Sequence, residues 1–263
     1  MKEIISILVI IAAIYLAISA CLYLFQRKLI YYPVGLDPAF SAEEIRIDNQ
    51  GTELHGWIIN PGKARAFIYF GGNSEMITHR DQFFTEVFAD YSVYLINYRG
   101  YGESQGEPTE AGLFSDAEAI YDAIREQHGS VSAYGRSLGS GVAVHLAANR
   151  PLDRLVLLTP YDSVARVAQK IYPFVPVNWL IKDRFDSIAV ADQIAIPVLI
   201  IAAEEDREIK LEHTLALKQQ LTRAQLEYVL VSGAAHNDVT EFPQYRAAIV
   251  DFISRPAIKP GGF

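Results

Sequence analysis

The stretch Ser132–Val144, SAYGRSLGSGVAV, constrains this chain more than any other. Ser137 stands between Gly135 and Gly139, with a short β-type run (Val131–Tyr134) before it and a run suited to a helix (Leu138–Asn149) after it. This is the G-x-S-x-G pattern of a nucleophile elbow. A strand that turns directly into a helix forces the serine into a strained backbone conformation and thrusts its Oγ above the sheet. Side chains two residues to either side would collide with neighbouring elements, so glycine occupies both places. The N–H of Leu138, at the helix start, then points to the place where an oxyanion forms. The competing reading is a helix-capping serine in a glycine-rich loop; the strand before and the helix after favour the nucleophile.

The rest of the chain fits that turn. Glu44–Asn49 and Thr52–Ile59 flank Gln50-Gly51 and read as a hairpin. Apolar strand-like runs then alternate with helical ones. The strands are Ala66–Phe70, Val93–Asn97, Val131–Tyr134, Leu155–Leu158, Pro197–Ala203 and Leu226–Val231. The helices are His79–Ala89, Glu110–Gln127, Leu138–Asn149, Leu211–Leu221 and Gln244–Ile253. Such alternation predicts an α/β fold with a mostly parallel central sheet and helices on both faces. Functional groups in these sheets gather at the C-terminal strand ends. The interval 161–193 breaks the rhythm and contains Tyr172-Pro173, Val175-Pro176 and Trp179. It reads as a small lid insertion with short helices of its own, and Trp179 and Tyr172 are candidates either to line an acyl pocket or to pack within it. The length of 263 residues suits one such domain. Its expected bounds are 43–256, after an anchor (1–28) and a linker (29–42) and before a frayed tail (257–263).

The anchor is Ile4–Phe25, IISILVIIAAIYLAISACLYLF, which carries no charge. As a helix it is roughly 33 Å long, enough to cross a bilayer core of about 30 Å. Arg27, Lys28, Tyr31 and Tyr32 follow, residue types that settle at the headgroup level. A single-pass N-terminal anchor, in a bacterium through the inner membrane, is the favoured expectation. A cleaved signal peptide would have an apolar region of about 7–15 residues. A third reading is a lipoprotein, because Ile18-Ser19-Ala20-Cys21 resembles a lipobox, although the apolar residues after Cys21 argue against it. Lys2 and the amino terminus nearly balance Arg27 and Lys28, so charge leaves the orientation open.

Net charge is −8 and the sequence pI about 5.3. With no basic stretch interleaved with aromatics, nucleic acid is a poor partner. Cys21 is the one cysteine, so there is no intrachain disulfide and no cysteine-ligated metal site.

A nucleophilic serine needs a base. His236, in Gly233–Asp238 after the last strand, sits at a strand end on the same rim as Ser137. His79, His128, His145 and His213 fall in or beside helices and His55 in the hairpin, where surface or packing roles are expected. The third member is a carboxylate after Pro197–Ala203. Glu204, Glu205 and Asp206 all follow, and Asp206 is favoured because Asp206-Arg207-Glu208-Ile209 resembles a D-x-x-[VI] pattern found there in folds of this kind; Glu205 is the rival. The order is then Ser…Asp…His. The second oxyanion donor is expected at the backbone N–H of Asn73, in Gly71-Gly72-Asn73-Ser74, beside that of Leu138. The usual signature there is His-Gly-x, and Gly71 replaces the histidine that often braces the loop. Tyr98–Ser104 lacks phosphate-loop spacing and reads as a turn shaping the site wall.

Together these pieces resemble the α/β-hydrolase superfamily, and within it the membrane-anchored serine hydrolases that include depalmitoylating α/β-hydrolase-domain proteins and their bacterial relatives. The resemblance rests on Phe25–Pro33, Gly72-Asn73, Asn97–Ser104, Gly135–Gly141, Asp206 and His236-Asn237-Asp238. It implies a triad of Ser137, Asp206 and His236, no metal or organic cofactor, and cleavage of an acyl ester or thioester from a small or lipid-like substrate at a fairly open site. Two other readings are an aminopeptidase-like amidase, with Glu75, Glu103 or Glu107 supplying an acidic pocket, and a catalytically silent binding protein on the same fold.

Overall fold

In the computed structural model, which describes residues 1–35 and 40–255, eight strands form one sheet in the order β1-β2-β4-β3-β5-β6-β7-β8. The expected tail 257–263 and part of the linker (36–39) lie outside the described residues. Strands β1 (Glu43–Asn49) and β2 (Thr52–Ile59) form the hairpin, turning at Gln50 and Gly51, both at positive φ. β2 also runs antiparallel to β4 (Tyr91–Ile96). From β4 through β3 (Arg65–Phe70), β5 (Ser130–Arg136), β6 (Leu155–Leu158), β7 (Pro197–Ala203) and β8 (Gln225–Val231) every pairing is parallel.

Parallel strands are covered on both faces, and alternate residues of each strand therefore feed two separate cores. On β3, Ala66, Ile68 and Phe70 enter one core, together with residues of α3 (Glu110–Ile124), α4 (Leu138–Asn149) and α7 (Leu211–Gln220). Phe67 and Tyr69 enter the other, with α2 (Asp81–Val87) and α8 (Pro243–Ser254). Observed bounds fall within one or two residues of the expected ones except at α3, which ends at Ile124 with a 3₁₀ turn over Arg125–Gln127, and at α2. There the expected helix His79–Ala89 is a 3₁₀ turn, Ile77–Arg80, followed by a short α-helix. Phe84 and Phe88 are buried against the sheet, and the Tyr91 N–H bonds the Phe88 carbonyl, so the chain must bend early into β4.

The insertion carries α5 (Val164–Ile171) and α6 (Val177–Leu180), with the Ser163 hydroxyl accepting from the Arg166 N–H to cap α5. Trp179 meets neither expectation set for it: it is 90% exposed, whereas Tyr172 lines a cavity.

The N-terminal helix α1 runs from Lys2 to Ile30, two residues past the expected anchor boundary, and its apolar part is unburied. At 1.5 Å per residue its 29 residues are about 43 Å long. Its last turns dock on the domain, so the start of the expected linker is held in place. Gln26 donates to the Leu180 carbonyl and accepts from the Lys182 N–H. Arg27 pairs with buried Asp183 at 2.9 Å, and the same carboxylate accepts from the Glu110 N–H at the start of α3. Tyr31 is buried against Phe185. A charge-assisted hydrogen bond of this sort contributes about 1.5–3 kcal/mol. Asp183→Ala is therefore expected to lower the stability of the full chain in detergent micelles by about that amount, read by urea unfolding. An unchanged midpoint would mean that the helix end is not docked.

Candidate active site

The sheet order creates the site. The chain leaves β3 for β4 on one side and returns to β5 on the other, which opens a crevice at the carboxyl ends of β3 and β5. Ser137 sits on the β5 side with φ 48° and ψ −117°, a conformation disfavoured for a residue with a Cβ. Its N–H bonds the Leu158 carbonyl, and its carbonyl accepts from both the N–H and the hydroxyl of Ser140. A Cβ at Gly139 would lie 2.1 Å from the Phe70 carbonyl oxygen, and one at Gly135 would lie 2.4 Å from that of Gly139. The steric reading of both glycines therefore holds in three dimensions.

The loops after β7 and β8 bring the other two residues to Ser137. His236 Nε2 is 3.0 Å from Ser137 Oγ, and Nδ1 is 2.7 Å from Asp206 Oδ2. Both His236 and Asp206 are buried. Asp206 is acceptor-only when ionised, so Nδ1 carries the proton and Nε2 faces the serine hydroxyl with its lone pair. The other Asp206 oxygen accepts from the N–H groups of Glu208 and Ile209, which fixes the carboxylate. Glu205, the rival, is exposed and outside this chain of bonds. Glu208 lies across the mouth, 3.7 Å from His236 Nε2, and accepts from the Asn237 side chain. Sequence reasoning gave Glu208 no role.

On the β3 side, a Cβ at Gly72 would be 3.7 Å from the Ser137 Cβ, so the glycine loop touches the serine. Asn73 and Leu138 line the same cavity as Ser137. The Asn73 side chain is held at the end of α1. It donates to the Ile30 carbonyl at the end of α1 and accepts from the Tyr32 N–H and the Tyr101 hydroxyl. A Cβ at 71 would lie 2.8 Å from the Ile77 side chain, so a histidine there would require Ile77 to shift. Other groups brace the loop. The Tyr98 hydroxyl donates to the Gly71 carbonyl at 2.7 Å, and Glu75 accepts from the Gly72 N–H at 2.6 Å.

Glu75 is the hub of a buried ionic cluster that sequence reading missed. It pairs with Arg80 at 2.8 Å and Arg136 at 3.1 Å and accepts from the Tyr69 hydroxyl. Arg136, next to Ser137, donates to the Asn237 side chain next to His236. One network thus links the glycine loop, the elbow and the histidine loop. Burial opposes the Glu75 charge, but Arg136 and Arg80 beside it, with the Gly72 N–H, hold its carboxyl below its ordinary value. Three of the other histidines are occupied elsewhere: His213 with Asp162, His145 with Glu118, His128 with Tyr94 and Lys63.

Above Ser137 lies a cavity of about 350 Å³ with mainly apolar walls. α5 and the segment after it form one side. Leu22, Tyr23, Gln26, Leu29 and Ile30 of α1 form another, an unexpected contribution from the N-terminal helix. Glu208 is the single carboxylate among the described lining residues. Glu75 is engaged by its arginines, and Glu103 pairs with Arg46 on the surface, so neither forms an acidic subsite.

A parallel sheet, an elbow serine and a rim histidine bonded to a carboxylate define the class, and the sequence profile of the alpha/beta hydrolase fold family matches residues 70–190. The chain belongs to the α/β-hydrolase family. Among its relatives is an uncharacterised protein of Mycobacterium tuberculosis H37Rv, 34% identical over 231 residues that cover 81% of either chain. Human alpha/beta hydrolase domain-containing protein 17B is 32% identical over 209 residues, 76% of this chain and 69% of that one. In fold the chain is similar to the Pyrococcus furiosus esterase Pf2001, with a TM-score of 0.70 at 18% identity over 86% of this chain and 99% of the other. The enol-lactonase of Burkholderia xenovorans LB400 gives 0.65 at 19% identity, over 80% of this chain and all of that one.

Removing one partner of a buried ion pair costs about 3–5 kcal/mol. Glu75→Gln is expected to destabilise the protein by that order in urea unfolding at neutral pH. A carboxyl whose folded-state pKa lies below its unfolded value contributes stability above the unfolded value and loses it as pH falls through the folded one. Wild type should therefore lose stability below about pH 4.5, the ordinary glutamate value, more steeply than Glu75→Gln. Equal slopes would mean that the cluster is not charged.

Proposed function

We propose that this α/β hydrolase is a membrane-tethered serine hydrolase that cleaves carboxylic esters or thioesters through an acyl-enzyme. The unbroken relay from Ser137 through His236 to Asp206, with spacings of 3.0 and 2.7 Å, carries this reading. Ser137 Oγ attacks the acyl carbonyl as His236 Nε2 takes its proton. Asp206 holds the imidazole in the required tautomer and stabilises its cation. The backbone amides of Asn73 and Leu138 face the tetrahedral oxyanion, an interaction for which removal of one donor typically costs 10²–10³ in turnover. His236 then protonates the leaving alcohol or thiol. Water, activated by the same imidazole, attacks the acyl-enzyme, and Ser137 regains its proton.

The apolar cavity supports an acyl group as the part of the substrate that is held. Its one acidic lining residue among those described, Glu208, is bonded to Asn237, which leaves the amidase reading without a pocket for a free amino terminus. The layout we propose is an N-terminal anchor, a hydrolase domain beginning near residue 43, and a lid insertion at 161–193. A retained anchor is favoured over a cleaved leader because Leu22 to Ile30 help to wall the cavity. Tyr15, which donates to the Phe174 carbonyl, lies before Cys21, and this contact favours a spanning helix over a lipid attached at that cysteine.

Ser137→Ala is expected to abolish both ester hydrolysis and labelling by a fluorophosphonate probe. Asp206→Asn should lower kcat by about 10⁴, because the wrong tautomer is then held. An acyl-chain series of p-nitrophenyl esters and matched thioesters, assayed on the full-length protein, should favour longer chains. Labelling of wild type no stronger than that of Ser137→Ala would instead support a silent binding protein.

A further inference from the structure

The segment 171–181, IYPFVPVNWLI, bears no charge, although Lys170 precedes it and Lys182 and Asp183 follow. It is not packed away as a lid over a water-filled site would be. Phe174 is 87% exposed, Trp179 90% and Ile171 62%. The tip does not stand alone, for the Tyr15 hydroxyl donates to the Phe174 carbonyl at 2.9 Å. Tyr15 lies midway along the apolar helix α1. The charged root returns at the polar end of that helix, with the Lys182 ammonium 4.5 Å over the Tyr23 ring and Asp183 on Arg27.

Length then limits where the water boundary can run. If the segment beside Tyr15 stood in water, the helix left to cross the membrane would be Lys2–Ile14, about 20 Å, against a hydrocarbon core of about 30 Å. If the whole uncharged run Ile4–Phe25 is in hydrocarbon, the tip beside Tyr15 is in hydrocarbon too. The backbone suits that solvent, which requires polar groups to be satisfied internally. Gln169 reaches the carbonyls of Tyr172, Pro173 and Val175 and accepts from the Val177 N–H. Pro173 and Pro176 have no N–H to satisfy, Tyr15 meets the Phe174 carbonyl, and Gln26 meets that of Leu180.

We infer that residues 171–181 form a second membrane-embedded element beside the helix, and that an acyl chain reaches Ser137 sideways from the lipid leaflet through the seam between the two. The inference rests on the membrane-tethered reading proposed above. The cavity supports the route: Tyr23 and Gln26 on the helix side and Ile171, Tyr172 and Val175 on the insertion side are its facing walls. Phe174 and Trp179 point away from the cavity and supply the lipid contact.

The chain has two tryptophans, and Trp57 is buried in the domain, so Trp179 is a built-in depth probe. The full-length protein is reconstituted in phosphatidylcholine–phosphatidylglycerol vesicles with or without brominated acyl chains. Bromine is expected to quench a component of the emission that survives Trp57→Phe and disappears in Trp179→Phe, and that component should be shielded from aqueous iodide. Full iodide access with no bromine quenching would overturn the inference and leave the face to a protein partner. In a second arm, Phe174→Asp should lower hydrolysis of a long-chain ester carried in the vesicles by up to about 100-fold, the scale set by placing a charge in hydrocarbon. Hydrolysis of a soluble butyrate ester should stay at the wild-type rate. Equal rates for Phe174→Asp and wild type on the vesicle-borne ester would defeat the lateral route. If bromine quenches Trp179 but wild type hydrolyses neither ester, the hydrolase reading falls while the embedded segment stands.

Discussion

The contact of Gly139 with the carboxyl end of β3 governs the geometry around Ser137. With the Phe70 carbonyl oxygen 2.1 Å from where a Cβ would be, α4 can lie against β3 only through a residue that has no side chain. That approach brings the Gly71–Asn73 loop against the serine. It also holds Ser137 at positive φ, a conformation that costs on the order of 1–3 kcal/mol and persists only when surrounding structure over-determines it. The Leu158 carbonyl on one side and the N–H and hydroxyl of Ser140 on the other do so here. The site is therefore assembled by backbone packing, and side chains then furnish its chemistry.

Much of this was legible in the sequence for one physical reason. Strands buried on both faces appear as unbroken apolar runs closed by turn residues, so Leu155–Leu158 and Pro197–Ala203 stand out with little ambiguity. Ser137, Asp206 and His236 were each marked by a local pattern at a strand end, and the fold brings those ends to one rim. The reading was weaker where tertiary contact decides. α2 is shorter than its composition suggests because Phe84 and Phe88 must reach the sheet. Trp179, an aromatic in an insertion, points outward rather than into a pocket.

The least legible parts are those made between distant segments. Glu75 and Arg136 are far apart in the chain and no pattern links them, yet their pairing ties the glycine loop to the elbow. A signal did exist: opposite charges sit beside the glycine loop and the elbow, although the sequence offers Glu75 only as part of an acidic pocket and gives Arg136 no role. Gln26 is similar. A glutamine closing an apolar run looks like a boundary marker, but it is buried and bonded on both sides to the insertion.

Asn73 joins these themes. Its side chain grips the Ile30 carbonyl and the Tyr32 N–H while its residue borders the cavity over Ser137. Trimming the polypeptide at residue 31 would therefore do more than remove an apolar helix. It would strip one wall from the cavity and take away the Ile30 bond that orients the Asn73 amide, so the fragment would report on a differently shaped trough from the one present in the whole chain.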